Sequence, residues 1–245
     1  IENVISNNLV DMINAYPIIK PIGDNDDYLY VQLRALPIVD INISLKQGSI
    51  SDGSMPGLTN LMLNTLMDSD INDKKLISYF ENSGAKLSYS VSKETLSISI
   101  RSISDIDQIV NLVDILNQAL FINMIDDVSF DLQKDKIIRS ISESKKRVNS
   151  VLESSISEKL FHKTPLSHQP LGIKDSVMGI AKEDIITHRN RVFNFDNLEV
   201  NIVGDISLED SKRLISQVTN KFSKNRIEPL PQYNMNSIEH HTEFD

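Results

Sequence analysis

The sequence predicts an α+β fold, a mostly antiparallel sheet flanked by helices. Two observations carry that prediction. Several short segments alternate apolar and polar residues with the two-residue period of a half-buried strand, while longer ones carry apolar residues at helical spacing. Their order is strand, strand, helix, helix, strand, strand, helices, strand, helix. That order does not suit a doubly wound parallel sheet; an antiparallel or mixed sheet with helices packed on one side fits it.

Each element has its own signal. "YLYVQLRA" (28–35) and "IVDINISLKQG" (38–48) read as two strands joined at Leu36-Pro37. "PGLTNLMLNTL" (56–66) reads as a helix, with Pro56 and Gly57 at its mouth and Leu58, Leu61, Met62 and Leu66 at helical spacing. A second helix, "DKKLISYFENSG" (73–84), stops at Gly84. "KLSYSVSK" and "TLSISIRSI" (86–103) read as a strand pair turning at Lys93-Glu94, with Leu96, Ile98 and Ile100 toward the core. Ser104, with Asp107 three residues later, resembles a capping box opening "IDQIVNLVDILNQAL". Two further helices cover residues 126–161, the second holding Val148, Val151, Leu152 and Ile156. "HKTPLSHQPLG" (162–172) is a loop, and "KEDIITHRNRVF" a short helix. "LEVNIVGDI" (198–206) reads as a buried strand, after which Ser207 and Asp210 cap "LEDSKRLISQVTNKF". From Lys224 to Ser237 periodicity is lost, as in a linker.

Composition narrows the function classes. With 245 residues, 40% of them apolar and 24% charged, the chain can bury a sizeable core, and one domain is expected. A net charge of -9 argues against nucleic acid, which calls for a basic face. The absence of cysteine removes disulfides and thiolate chemistry. Because no apolar run reaches membrane-spanning length, no membrane span is expected. The opening "IENVISNNLV" lacks the basic start and apolar core of a signal peptide.

Few residues suggest chemistry. Asn60 and Asn64 lie four apart, so both project from one face of the helix that follows Gly57. Two histidines at that spacing would make half of a zinc site. His240-His241, with Glu239 or Glu243, could hold a metal, but a pair so near a chain end reads as solvated. His162 and His168 flank a Pro-containing loop and read as loop structure; His188 reads as packed or half exposed on its helix. The acidic loops 23–28 and 68–75 lack the spacing of an EF-hand and read as turns with a helix cap. No nucleophile elbow, phosphate loop or dinucleotide fingerprint is present.

Three longer segments carry a resemblance. "LPIVDINISLKQGSISDGSMPGL" resembles the first strand and turn of the M16 peptidases, the pitrilysin and insulinase superfamily, where such a strand leads through Gly-Ser and an Asp into the zinc-bearing helix. "FENSGAKLSYSVSKETLSISIRS" is similar to that family's helix, Gly-Ala turn and strand pair. "HKTPLSHQPLGIKDSVMGIAKEDIITHRNRVFNFDNLEVNIVGDIS" is similar to its loop, short helix and "VGD" strand. The resemblance runs in order from Leu36 to Phe222.

The family's H-x-x-E-H motif grips zinc with two His one helical turn apart and uses the Glu as general base on a bound water. The resemblance puts those His positions on Asn60 and Asn64, the base on Leu63, and the downstream Glu ligand on Ser140 or Ile141. Asn is a neutral, weak zinc ligand and Leu cannot take a proton. Glu143 is near in sequence but stands alone as a carboxylate.

The resemblance therefore implies an inactive homologue of a zinc metallopeptidase, with no metal and no other cofactor. It implies an M16-like N-terminal domain over residues 1–223, and over 224–245 a linker and the start of a second homologous domain missing from this chain. The implied role is a non-catalytic subunit of a two-component protease. Its partner would be a homologous M16 subunit with an intact zinc motif, and the two would share a peptide substrate in a common chamber. The alternative is an M16-derived structural scaffold in a larger membrane complex. A periplasmic location is expected from the paired bacterial proteins it resembles, with the cytoplasm as the alternative.

Overall fold

A computed structural model describes residues 19–22, 28–162 and 164–224. The described strands are β1 (Ile19–Ile22), β2 (Tyr28–Gln32), β3 (Ile38–Leu45), β4 (Asp70–Ile71), β5 (Lys74–Lys75), β6 (Lys86–Val91), β7 (Leu96–Ile103) and β8 (Leu198–Gly204). The helices are α1 (Leu58–Met67), α2 (Leu76–Asn82), α3 (Ile106–Leu120), α4 (Asp127–Ser144), α5 (Val148–Leu160), α6 (Lys174–Gly179), α7 (Lys182–Val192) and α8 (Leu208–Thr219).

Six strands make one sheet in the order β1-β2-β8-β3-β7-β6. Every pairing is antiparallel except β2 with β8. The two strands expected to be joined at Leu36-Pro37 are thus not partners, because β8 lies between them. The alternation read in the sequence sets the inner face. Ile100, Ile41 and Ile202 lie in register across β7, β3 and β8, as do Ile98, Ile43 and Val200, and Leu96, Leu45 and Leu198. All nine are buried, each contributing about 1.5–3 kcal/mol of apolar burial. On the opposite face Asn42 donates to Ser99, and Arg101 makes a two-pronged ion pair with Asp40.

Local chemistry explains where several elements begin. Asp105, not Ser104, caps α3, accepting from the backbone N–H of Asp107 and Gln108; the Ser104 amide is committed to Pro37 O. Ser207 caps α8 as expected, accepting from Asp210 N at 3.0 Å. The helix expected from Asp73 begins instead at Leu76. Asn72 and Asp73 both have positive φ, 49° and 60°, which suits the primed turn of a two-residue hairpin joining β4 to β5. Asp68 and Asp70 of that acidic loop pair with Lys75.

The inner face, α1, α3 and parts of the other helices share one apolar core that runs from Tyr30 to Phe222. Helix α5 stands apart: of its residues only Ser157 is buried, while Val148, Val151, Leu152, Ile156 and Leu160 face outward. Among the described residues no helix is long and apolar enough to cross a membrane. The expected linker, His240-His241 and most of the 23–28 loop lie outside the described residues.

Candidate functional site

Helix α1 packs against α7, α4 and β6. Leu58, Thr59, Leu61, Met62, Leu63, Thr65, Leu66 and Met67 are all buried. Its two remaining residues, Asn60 and Asn64, are half-buried, so the helix reaches solvent only through a narrow polar window.

The entry into α1 is built from glycine and a remote carboxylate. Gly57 has φ +100° and Gly172 φ +82°, and the two backbones touch: a Cβ on Gly172 would lie 2.3 Å from Pro56 O. The first amides of a helix have no intrahelical acceptor. Here the buried Asp52 carboxylate accepts from Gly57 N at 2.7 Å, Thr59 N at 2.8 Å and Thr59 Oγ1 at 2.6 Å. A carboxylate at a helix N-terminus is also favoured by the macrodipole.

The Thr59 hydroxyl extends this cap into α7. His188 Nε2 lies 2.8 Å from Thr59 Oγ1, and Arg191 lies 3.0 Å from His188 Nδ1. A guanidinium has no lone pair, so Arg191 donates to Nδ1 and the imidazole proton sits on Nε2. Nε2 then donates to Thr59 and Thr59 donates to Asp52, giving a one-way chain from cation to anion. Arg191 also donates to Ser51 O. Burial pushes Asp52 up to about 6 despite its hydrogen bonds. Burial, reinforced by the Arg191 charge, pushes His188 down to about 3. His188 is therefore packed and neutral.

The structure brings Asn60 and Asn64 together. Asn64 Nδ2 donates to Asn60 O at 2.8 Å and to Asn60 Oδ1 at 3.1 Å. Leu63 is fully buried, Ile141 is in the core, and Ser140 is half-buried on α4 with no side-chain hydrogen bond to either Asn. Glu143 is exposed. This face does not suit a zinc ion: its carboxamides are neutral and bonded to each other, and the position between them is hydrocarbon. Among the described residues no three His, Cys, Asp or Glu side chains come together as metal ligands.

Of the other histidines, His162 is exposed and His168 is partly buried, its pKa lowered by burial and by Lys93. Lys93 pins the 162–172 loop, donating to Ser157 Oγ at 2.7 Å and Leu166 O at 2.8 Å. In the sequence Lys93 reads only as a turn residue and Asp52 only as the Asp of the family-like turn, while Thr59 and Arg191 carry no signal of their own. The i, i+3 spacing of His188 and Arg191 on one helix was the available signal.

Beside α1 runs β6, an outer strand of the sheet. Ser92 N donates to Thr95 O, so that pair is hydrogen-bonded across the ladder. Antiparallel pairs alternate between bonded and non-bonded. Leu87, Tyr89 and Val91 are therefore non-bonded to β7, and their N–H and C=O groups point to an edge that no strand covers among the described residues.

The model of the family described as Insulinase (Peptidase family M16) matches residues 31–172, from the end of β2 through β3, α1, β6, β7 and the following helices to Gly172. The "Non-peptidase homolog YmxG" of Helicobacter pylori is 21% identical over 210 residues, 84% of this chain and 48% of that protein. The peptidase M16 inactive domain from Pseudomonas fluorescens superposes with TM-score 0.79 at 20% identity, over 86% of this chain and 52% of that one. The periplasmic protease PqqL from Escherichia coli superposes with TM-score 0.70 at 14% identity, over 89% of this chain and 26% of that one. The chain spans about half the length of the first two. With more than half of its residues matched by the family model, the chain belongs to the insulinase peptidase family M16.

Proposed function

We propose that the chain is a non-catalytic M16 subunit, forming part of a peptide-binding chamber with a homologous partner that carries an intact H-x-x-E-H motif. The observation that carries this reading is the α1 face. Asn60, Leu63 and Asn64 stand where the family resemblance puts the two His and the general base, and Ser140 or Ile141 where it puts the third ligand. No group among them can activate water. The names of two similar proteins, a non-peptidase homologue and an inactive domain, support the same reading.

Peptide grip is supported by β6. An outer strand with free N–H and C=O groups is a template for an extended peptide, which adds to the sheet as a further strand. The likeness to a periplasmic protease supports a periplasmic location for this chain. Residues 1–223 serve in this reading as the first of two homologous domains.

The test is to express this protein and an H-x-x-E-H homologue from the same genome, together and apart. Complex formation and hydrolysis of an unstructured peptide are then measured. The two together are expected to form a stable complex with turnover at least tenfold above the zinc subunit alone, and this chain alone to give none. A zinc subunit fully active by itself, with no binding to this chain, would overturn the proposal.

A further inference from the structure

We infer that Asn60 and Asn64 form a clamp for the peptide backbone, taking the C=O and the N–H of a single residue of an extended chain laid along β6. The inference rests on the chamber reading above and assigns a recognition role to the face that lacks catalytic groups.

The hydrogen bonds fix the orientation of both amides. Asn64 Nδ2 has two hydrogens, and both are used, one on Asn60 O and one on Asn60 Oδ1. That leaves the Asn60 Nδ2 hydrogens and the Asn64 Oδ1 lone pairs. Neither atom has a protein partner among the described residues, and neither is sealed from solvent. One donor and one acceptor thus stand side by side in the polar window of an otherwise buried helix. Asparagine is among the weaker helix formers, so propensity alone does not favour two of them here.

The complementary ligand follows from strand geometry. In an extended chain the N–H and C=O of the same residue point to the same side. A peptide paired with β6 through one edge presents such residues on its other edge. The window and that strand are neighbours: α1 packs on β6, and Asn64 lies one helical turn before Asp68, at the helix's C-terminal end. Tyr89 of β6 has its pKa raised by burial and then by the Asp68 carboxylate, consistent with that proximity. Because the clamp is uncharged and Leu63 beside it is buried, it reads backbone rather than side chains. The ligand class is an unfolded polypeptide segment of broad sequence, excluding proline at the clamped residue.

The probe is a fluorescein-labelled decapeptide alternating Val with Thr and Lys, titrated into the full chain. Binding is read by anisotropy and by the side-chain NH2 resonances of Asn60 and Asn64. Two hydrogen bonds of ordinary net strength give the expected scale: Asn60→Ala and Asn64→Ala each weaken binding by about 3- to 10-fold. N-methylation at one backbone position should weaken binding to the wild type but add nothing in Asn64→Ala. Tyr89→Pro removes an edge N–H without touching the bonds to β7, and should weaken binding independently. If both Asn variants bind like wild type while Tyr89→Pro does not, the clamp is overturned and the β6 reading stands. If the wild type binds no peptide at millimolar concentration, both are overturned.

Discussion

Thr59 joins two helices through one hydroxyl, accepting from His188 and donating to Asp52. Thr59→Val keeps the shape and removes the hydroxyl, leaving a buried imidazole N–H without a partner and Asp52 with one donor fewer. The expected loss is about 1–3 kcal/mol in urea unfolding. Two titratable members of this hydrogen-bond chain, Asp52 and His188, oppose each other. Asp52 has a folded pKa raised from 3.8 to about 6, so its contribution is fully present below 3.8 and lost as pH rises through about 6. His188 has a folded pKa lowered from 6.5 to about 3, so its contribution is present above 6.5 and lost as pH falls toward about 3. Between roughly pH 4 and pH 6 the two slopes have opposite signs and largely cancel, so the wild type's stability changes little with pH. Asp52→Asn removes the opposing trend, so its stability should rise more steeply across that window than the wild type's. Denaturation midpoints at three pH values measure the two slopes; equal slopes would contradict the assignment.

At the level of elements, α1 and α5 are opposites. Leu66 of α1 is fully buried and Leu152 of α5 is 57% exposed. Leu66→Ala is expected to cost about 2–5 kcal/mol, and Leu152→Ala less than about 1 kcal/mol, both by chemical denaturation. The same amphipathic spacing thus has different energetic meaning in the two helices, because among the described residues only α1 is packed on its apolar side. The glycines at the mouth of α1 give a second contrast. Gly53 has φ +61° and ψ −122°, a conformation essentially confined to glycine, and a Cβ added there would meet nothing within 4 Å, so Gly53→Ala should cost only that backbone strain, about 1–3 kcal/mol. Gly172→Ala adds a collision with Pro56 O and the Gly57 backbone, and should cost about 1–3 kcal/mol more. Comparable losses in thermal unfolding would mean the loop can move away from α1.

For the whole molecule, the sheet is closed by its last strand. β8 lies between β2 and β3 and supplies Leu198, Val200 and Ile202 to the core. A chain cut after Asn197 leaves β2 and β3 with an unfilled gap between them and removes α8. It is expected to show no cooperative unfolding transition, whereas the full chain shows one. A sharp transition in the truncated chain would mean that β2 and β3 can pair directly.

The amino-acid pattern by itself determined the strand and helix spans at the centre of the molecule, the Ser207 cap and the paired asparagines of α1. Each leaves a local record, a period of two or of 3.6 or a side chain a few residues from its backbone partner. Strand β1 and helix α6, four and six residues long, are too short to establish a period. The insertion of β8 between β2 and β3 was decided only in the folded chain, because periodicity records which face of a strand is buried and not which strand lies beside it. The cap that runs from Asp52 through Thr59 to His188 and Arg191 has the same origin. Its members come from two distant segments, and only the packing of α7 against α1 brings them within hydrogen-bonding distance.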